Sequence, residues 1–299
     1  MSQAVGPDLP CWMGGEMFTK ILVPLDGSDL AEQVLPHALM LADAFDAAVR
    51  LLRVVEGPDD LDLTSVTREQ SEALRLAEDY LRGAAEYCSV LGVPVDIALA
   101  MGSPARQIVR EALAIGADLI AMATHVRRGI ERWLHGSIAG DVLNAAHLPV
   151  LLVTPISGLG ARTWGLAQRY QRILVPLDGS DRAQAILACA APLAHGLNAE
   201  LVLVSVARSE AGAEYQPDAL QRYLEHVQES LAAEGTRATI VVEEGPVVET
   251  ILAVAQDTHA DLLALTTRGL GGLHSVLGGT CVRLLESSTR PVLALRPQA

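Results

Sequence analysis

The nonapeptide Ile21-Leu22-Val23-Pro24-Leu25-Asp26-Gly27-Ser28-Asp29 recurs unchanged at Ile173 to Asp181, an offset of 152 positions (173 minus 21) in a chain of 299. One perfect repeat at half the chain length implies two copies of a single domain, not a short-period solenoid. Its wording adds a second constraint. An apolar run, broken by proline and followed by Asp-Gly-Ser-Asp, reads as a buried strand that empties into a polar turn. In an open α/β sheet, ligands settle at that end of the strands.

Each half alternates apolar runs of strand length with stretches of helical period. In the first half strands are expected near 19–25, 48–55, 94–100, 118–123 and 149–154, and helices near 30–45, 67–91, 104–115 and 138–146. The second half repeats the order, with strands near 172–177, 199–206, 238–243, 261–266 and 291–296. Alternation of this kind gives βαβ units and a parallel sheet with helices on both faces. The expected fold class is therefore α/β, with two tandem, doubly wound, parallel five-stranded sheets of Rossmann-like type. Residues 1–16 have no periodicity and read as a tail, 17–154 as the first domain, 155–170 as a Pro/Gly-containing linker, and 171–297 as the second domain.

Composition removes several function classes. The net charge of −14 and an aromatic content of 3% argue against nucleic acid as a partner. There is one lysine, Lys20, at the start of a strand, so neither a P-loop nor a Schiff-base lysine is on offer. No apolar run reaches the about 18–20 residues that cross a bilayer, and no secretory leader is expected. A soluble, cytoplasmic protein is expected, with no membrane partner. Cys11, Cys88, Cys189 and Cys281 form no CxxC pair and read as buried or incidental thiols.

The chemistry concentrates in two loops of each half. If the first and fourth strands are neighbours, the strand order reverses between them and a crevice opens there. The loop after the fourth strand ends in Gly136-Ser137 in one half and Gly279-Thr280 in the other, each just before a helix. A helix start offers free N–H groups and a positive dipole end to an anion such as phosphate. A plain helix cap would use the same residues.

With these motifs, the chain resembles a tandem universal stress protein over about residues 17–154 and 170–297. That family's nucleotide signature is Gly, two residues, Gly, nine residues, then Gly-Ser or Gly-Thr. It falls on Ala123, Val126, Gly136 and Ser137 in the first half, and on Thr266, Gly269, Gly279 and Thr280 in the second. Both early glycines are missing from the first copy and only one from the second, so the second half is expected to hold the better site. Val126 matters most, because a β-branched residue is disfavoured at positive φ. His125 and Arg268 stand at a matching loop position, where a polar or phosphate contact is expected. The resemblance further implies that Asp26 and Asp178 lie near ribose and phosphates, through Mg²⁺ held by the nucleotide. It implies that Pro24 and Pro176 belong to the same turns, that Val54 and Val206 touch adenine, and that Gly102 and Gly245 complete the base pocket. The implied ligand is ATP, or ADP or AMP. The two domains are expected to form an intramolecular pseudo-dimer through their last strands, with a further homodimer. A scaffold that has lost nucleotide binding is the alternative. At most weak ATP hydrolysis is expected, since no G-x-x-x-x-G-K-[ST] loop and no G-x-S-x-G elbow occurs.

Overall fold

The computed structural model describes residues 18–58, 67–124, 137–156, 169–207, 217–267 and 279–297. The first half runs β1 (Lys20–Pro24), α1 (Asp29–Glu32), α2 (Leu35–Phe45), β2 (Ala48–Val55), α3 (Arg68–Val90), β3 (Val95–Met101), α4 (Pro104–Ile115), β4 (Leu119–Ala123), α5 (Ile138–Ala145) and β5 (Val150–Val153). The second half repeats it as β6 (Arg172–Pro176), α6 (Asp181–Gln184), α7 (Leu187–Leu197), β7 (Glu200–Ala207), α8 (Pro217–Ala233), β8 (Ala238–Glu244), α9 (Val247–Asp257), β9 (Leu262–Thr266), α10 (Gly279–Ser287) and β10 (Val292–Leu295).

Local chemistry explains most boundaries. Thr67 caps α3 and forms a reciprocal capping box with Gln70. Pro104 opens α4, and Gly116 closes it in the left-handed conformation. On α3 the buried positions Ala77, Leu81, Ala84 and Cys88 make one stripe, and on α8 Leu220, Leu224, Val227 and Leu231 do the same with identical spacing. Along the strands, side chains alternate between faces. Ile21, Val23, Leu51 and Leu119 therefore join the layer under α2 and α3, while Leu22, Leu52, Ile120 and Met122 join the layer under α4 and α5.

The strand order is β3-β2-β1-β4-β5-β10-β9-β6-β7-β8. Within each half every pairing is parallel, and β1 lies between β2 and β4 as the crevice argument requires. The two five-stranded sets are continuous. Strands β5 and β10 pair antiparallel, with Leu151 opposite Leu293, so the last strands join the halves into one ten-stranded sheet. Each core layer consequently runs through both halves.

The continuous helix expected over 30–45 is instead two helices. Pro36 would account for the break in the first half, since proline cannot donate to the carbonyl four residues back. The second copy breaks at the same place with Ala188 in that position, so the proline is not the cause. In both copies the residue in the break, Val34 or Ile186, is fully buried. Core packing holds the bend.

The halves also meet through α2 and α7. A Cβ added at Gly196 of α7 would lie 2.6 Å from Cζ of Phe45 on α2, which itself packs edge-on against Phe18 at 5.3 Å. Gly196→Ala should destabilise the protein by about 1–3 kcal/mol through overpacking, despite alanine's better helix propensity. Denaturant titration checks this. Phe45→Ala in the same chain should remove most of the added cost, and strict additivity would sink the contact.

Two segments flanking 157–168 are tied to the first half. Gln33 exchanges two hydrogen bonds with the backbone of Ile156, at 3.0 and 2.7 Å. Arg169 pairs with Asp43, and Tyr170, 3% exposed, stacks on His37. Residues 169–170, assigned to the linker by composition, thus lie packed on α2. The expected tail, 1–16, lies outside the described residues.

Candidate functional site

The repeated nonapeptide builds the same turn twice. Asp26 Oδ1 accepts from the Ser28 amide at 2.9 Å and from Ser28 Oγ at 2.6 Å, while Ser28 Oγ accepts from the Ala31 amide at 3.1 Å. In the second copy Asp178 Oδ1 accepts from Ser180 at 3.1 and 2.6 Å, and Ser180 Oγ accepts from the Ala183 amide at 3.1 Å. Between them sit Gly27 at φ +84° and Gly179 at φ +82°, a region other residues enter only with strain. Serine is spent as the helix cap, and the aspartate orients it.

These turns lie at the carboxyl ends of β1 and β6. Over the first half, a crevice of about 950 Å³ opens along the ends of β1, β2 and β4, at the upper end of the range for small-molecule sites. Of the residues the sequence singled out, Pro24, Asp26, Val54, Ala123 and Ser137 line it. Ser137 also caps α5, accepting from the Gly140 amide at 3.1 Å. Gly102 is not in the lining. It ends β3 at φ +138° and donates its amide to Val55 O at 3.0 Å, supporting the wall. His125, Val126 and Gly136 lie outside the described residues.

In the second half β6 and β9 are neighbours, which brings Pro176 and Asp178 beside the end of β9 at Thr266. Val206 sits near the end of β7, opposite Glu243. Gly245 has φ +146°, and a Cβ there would also lie 2.9 Å from Thr250 Oγ1, so both conformation and space demand glycine. Gly279 and Thr280 form the first turn of α10. A Cβ at Gly279 would meet no described residue within 4 Å. Arg268 and Gly269 lie outside the described residues. The Tyr223 phenol is pushed up to about 12, first by burial and then by the charges of Asp178 and Asp181, so it faces that turn uncharged.

Sequence reasoning missed four features. Arg53, lining the crevice from a strand that also carries Arg50, places its guanidinium by Gly27 and donates to Leu25 O at 3.4 Å. Its counterpart is Ser205 (53 plus 152), which is buried and donates to Leu177 O at 2.7 Å. The second feature is the α3 stripe of Ala73, Leu76, Ala77 and Tyr80, whose i, i+3, i+4, i+7 spacing was legible but reads as ordinary core. The last two are Thr124 and Thr267, at matching positions after β4 and β9. Both are buried, and neither hydroxyl has a hydrogen-bond partner among the described residues.

Cys88, Cys189 and Cys281 are buried thiols, and burial pushes Cys189 and Cys281 up to about 12. Among the described residues, no group of three or more His, Cys, Asp or Glu could hold a metal ion, and no helix is long and apolar enough to cross a membrane.

The family model described as the universal stress protein family matches residues 17–154 and 169–296. Universal stress protein MJ0531 of Methanocaldococcus jannaschii is 36% identical over 150 residues, covering 47% of this chain and 84% of that protein. Universal stress protein YxiE of Bacillus subtilis is 28% identical over 149 residues, covering 46% and 99%. Among solved structures, a universal stress protein from Archaeoglobus fulgidus superposes with a TM-score of 0.71 at 21% identity, covering 93% of this chain and 96% of that one. The functionally unknown protein PA1789 of Pseudomonas aeruginosa superposes with a TM-score of 0.64 at 22% identity, covering 94% of each chain. At these identities the structural likeness speaks for the fold alone.

Proposed function

The chain belongs to the universal stress protein family, and on that premise we propose that it binds an adenine nucleotide, ATP or its relatives ADP and AMP, at the strand-one and strand-four ends of both halves. Occupancy would regulate its assembly and its partners. The observation that carries this reading is the crevice of about 950 Å³ at the point where strand order reverses, floored by the Asp-Gly-Ser turn that both halves build alike. Glycine at 27 and 179 keeps the backbone open to close approach. The apolar wall, with Val54 and Met122, suits a base, and the helix start at Ser137 suits phosphate.

A carboxylate facing polyphosphate needs a cation between them, and the oxygen donors of Asp26 and Asp178 suit Mg²⁺. Each carboxylate has one oxygen committed to serine, which fixes its orientation. Mg²⁺ would supply charge neutralisation. The residues hold and orient the nucleotide.

The tighter site is assigned to the second half, because Gly269 stands where the first half has Val126. The same reading makes the protein cytoplasmic and, beyond its joined halves, homodimeric.

Calorimetric titration with ATP and Mg²⁺ tests the proposal. Wild type should show two binding events. Asp178→Ala should weaken the tighter one about tenfold or more, or ~1.4 kcal/mol, and Asp26→Ala the weaker one. Absence of binding at millimolar ATP would overturn the reading in favour of a scaffold. Equal affinity of the two events would overturn the assignment to the second half.

A further inference from the structure

The first crevice extends past the turn and strand ends onto α3, and residues that line it there differ from their counterparts in the repeat. Helices α3 and α8 align at an offset of 143 (220 minus 77), since their buried stripes then coincide at all four positions. Tyr80 falls on Tyr223 in that alignment. Ala77 falls on Leu220, and β2 places Arg53 where β7 has Ser205. In the second half, Leu220 is 3% exposed and Ser205 is spent on Leu177 O, while Tyr223 reaches across to Gln184 at 3.3 Å. In the first half Ala73, Leu76, Ala77 and Tyr80 of α3 line one side of the crevice beside Arg53 of β2, an apolar bay with a guanidinium at its mouth. Leu76 lines this side of the crevice and is 57% exposed.

The bay's charge is specific. Arg53 is half-buried at its mouth and makes no ion pair with a described residue; its hydrogen bond goes to a neutral carbonyl. A partly desolvated guanidinium gains most from a carboxylate, which it can grip with two parallel hydrogen bonds. Glu56 and Asp26 also line the crevice, but both are exposed to water, where their repulsion of an anion is screened.

We infer that the first half carries a second ligand site: an apolar bay on α3 that takes a free medium-chain carboxylate, its head group on Arg53 and its chain along Ala73, Leu76, Ala77 and Tyr80. The site lies on the α3 side of the crevice that the nucleotide reading uses, and its residues Arg53 and Ala77 are Ser205 and Leu220 in the second half. The pair Ala77 and Arg53 divides the two halves by ligand class.

Calorimetry with decanoate below its micellar concentration tests the site, with circular dichroism and thermal unfolding as folding controls. Wild type should bind one decanoate per chain, and decylamine, of equal chain length and opposite charge, should not bind. Ala77→Leu, which copies the second half, should weaken binding at least about tenfold, and Arg53→Ser, also a copy, at least about fivefold. Lack of decanoate binding by wild type would overturn the inference. So would equal binding of decylamine, or unchanged affinity in a folded Ala77→Leu variant. ATP titration of the same proteins reads the nucleotide proposal separately.

Discussion

Leu293→Ala should cost about 2–5 kcal/mol and shift unfolding of the whole chain as one transition. Leu293 is 1% exposed and stands opposite Leu151, also 1% exposed, on the antiparallel seam between the halves. Truncating a buried leucine loses its transfer free energy and leaves a cavity that close-packed neighbours fill only in part. Because the core layer on that face runs through both halves, the loss is shared by both. Denaturant titration followed by far-ultraviolet circular dichroism and by tryptophan or tyrosine emission checks this. Two separated transitions in the variant would show that the seam joins two independently stable bodies. Leu76→Ala, at an exposed position, is the control and should change stability by no more than about 0.5 kcal/mol.

Acid should expose a second dependence, centred on His37. Burial lowers its pKa from 6.5 to about 4. Its Nδ1 lies 2.9 Å from the Tyr170 hydroxyl, and the two rings stack at 5.9 Å with 19° between their planes. Burial, and secondarily the charge of Asp261, raises the Tyr170 phenol, so it stays protonated and can donate to a neutral imidazole. The folded state therefore resists protonation that the unfolded chain accepts. Above pH 6.5 both states are neutral at this residue and the contact is at full strength. As pH falls from 6.5 to about 4 the unfolded state takes up the proton first, and stability drops by ~1.4 kcal/mol per unit. The total is about 3 kcal/mol, with no further loss from this group below the folded pKa. His37→Phe keeps a ring on Tyr170 without a titrating group. Its stability between pH 7 and 4 should fall about 3 kcal/mol less than wild type. Parallel acid limbs in the two proteins would show that His37 does not carry the effect.

Much of the fold is legible in the sequence because its causes are local. Short apolar runs mark β2 and β4 with ends matched to within a residue, since a strand buried on both faces needs no partner's help to be recognised. Thr67, Pro104 and Gly116 write the ends of α3 and α4 in their own side chains and dihedrals. The Asp-Gly-Ser turns are equally local, since each hydrogen bond spans two or three residues. The candidate site was legible only where it belongs to such turns. Arg53 looked like an interruption in a strand, and the α3 stripe looked like core, because no local signal tells a filled interior from a bay. Ala77 acquires meaning only beside Arg53, once α3 is set on the sheet.

The sequence by itself determined the duplication, the order of strands and helices, and the shape of the two identical turns. Backbone preference and apolar period act over a few residues, and the chain writes them directly. The tertiary structure alone decided where the helix expected over 30–45 bends, how Gly196 receives Phe45, and that His37 meets Tyr170 across 133 positions. It also decided that Arg53 of β2 and the α3 residues Ala73, Leu76, Ala77 and Tyr80 line one crevice together. Those outcomes depend on volume and charge brought together by packing, and residues so far apart share no local pattern from which to read them.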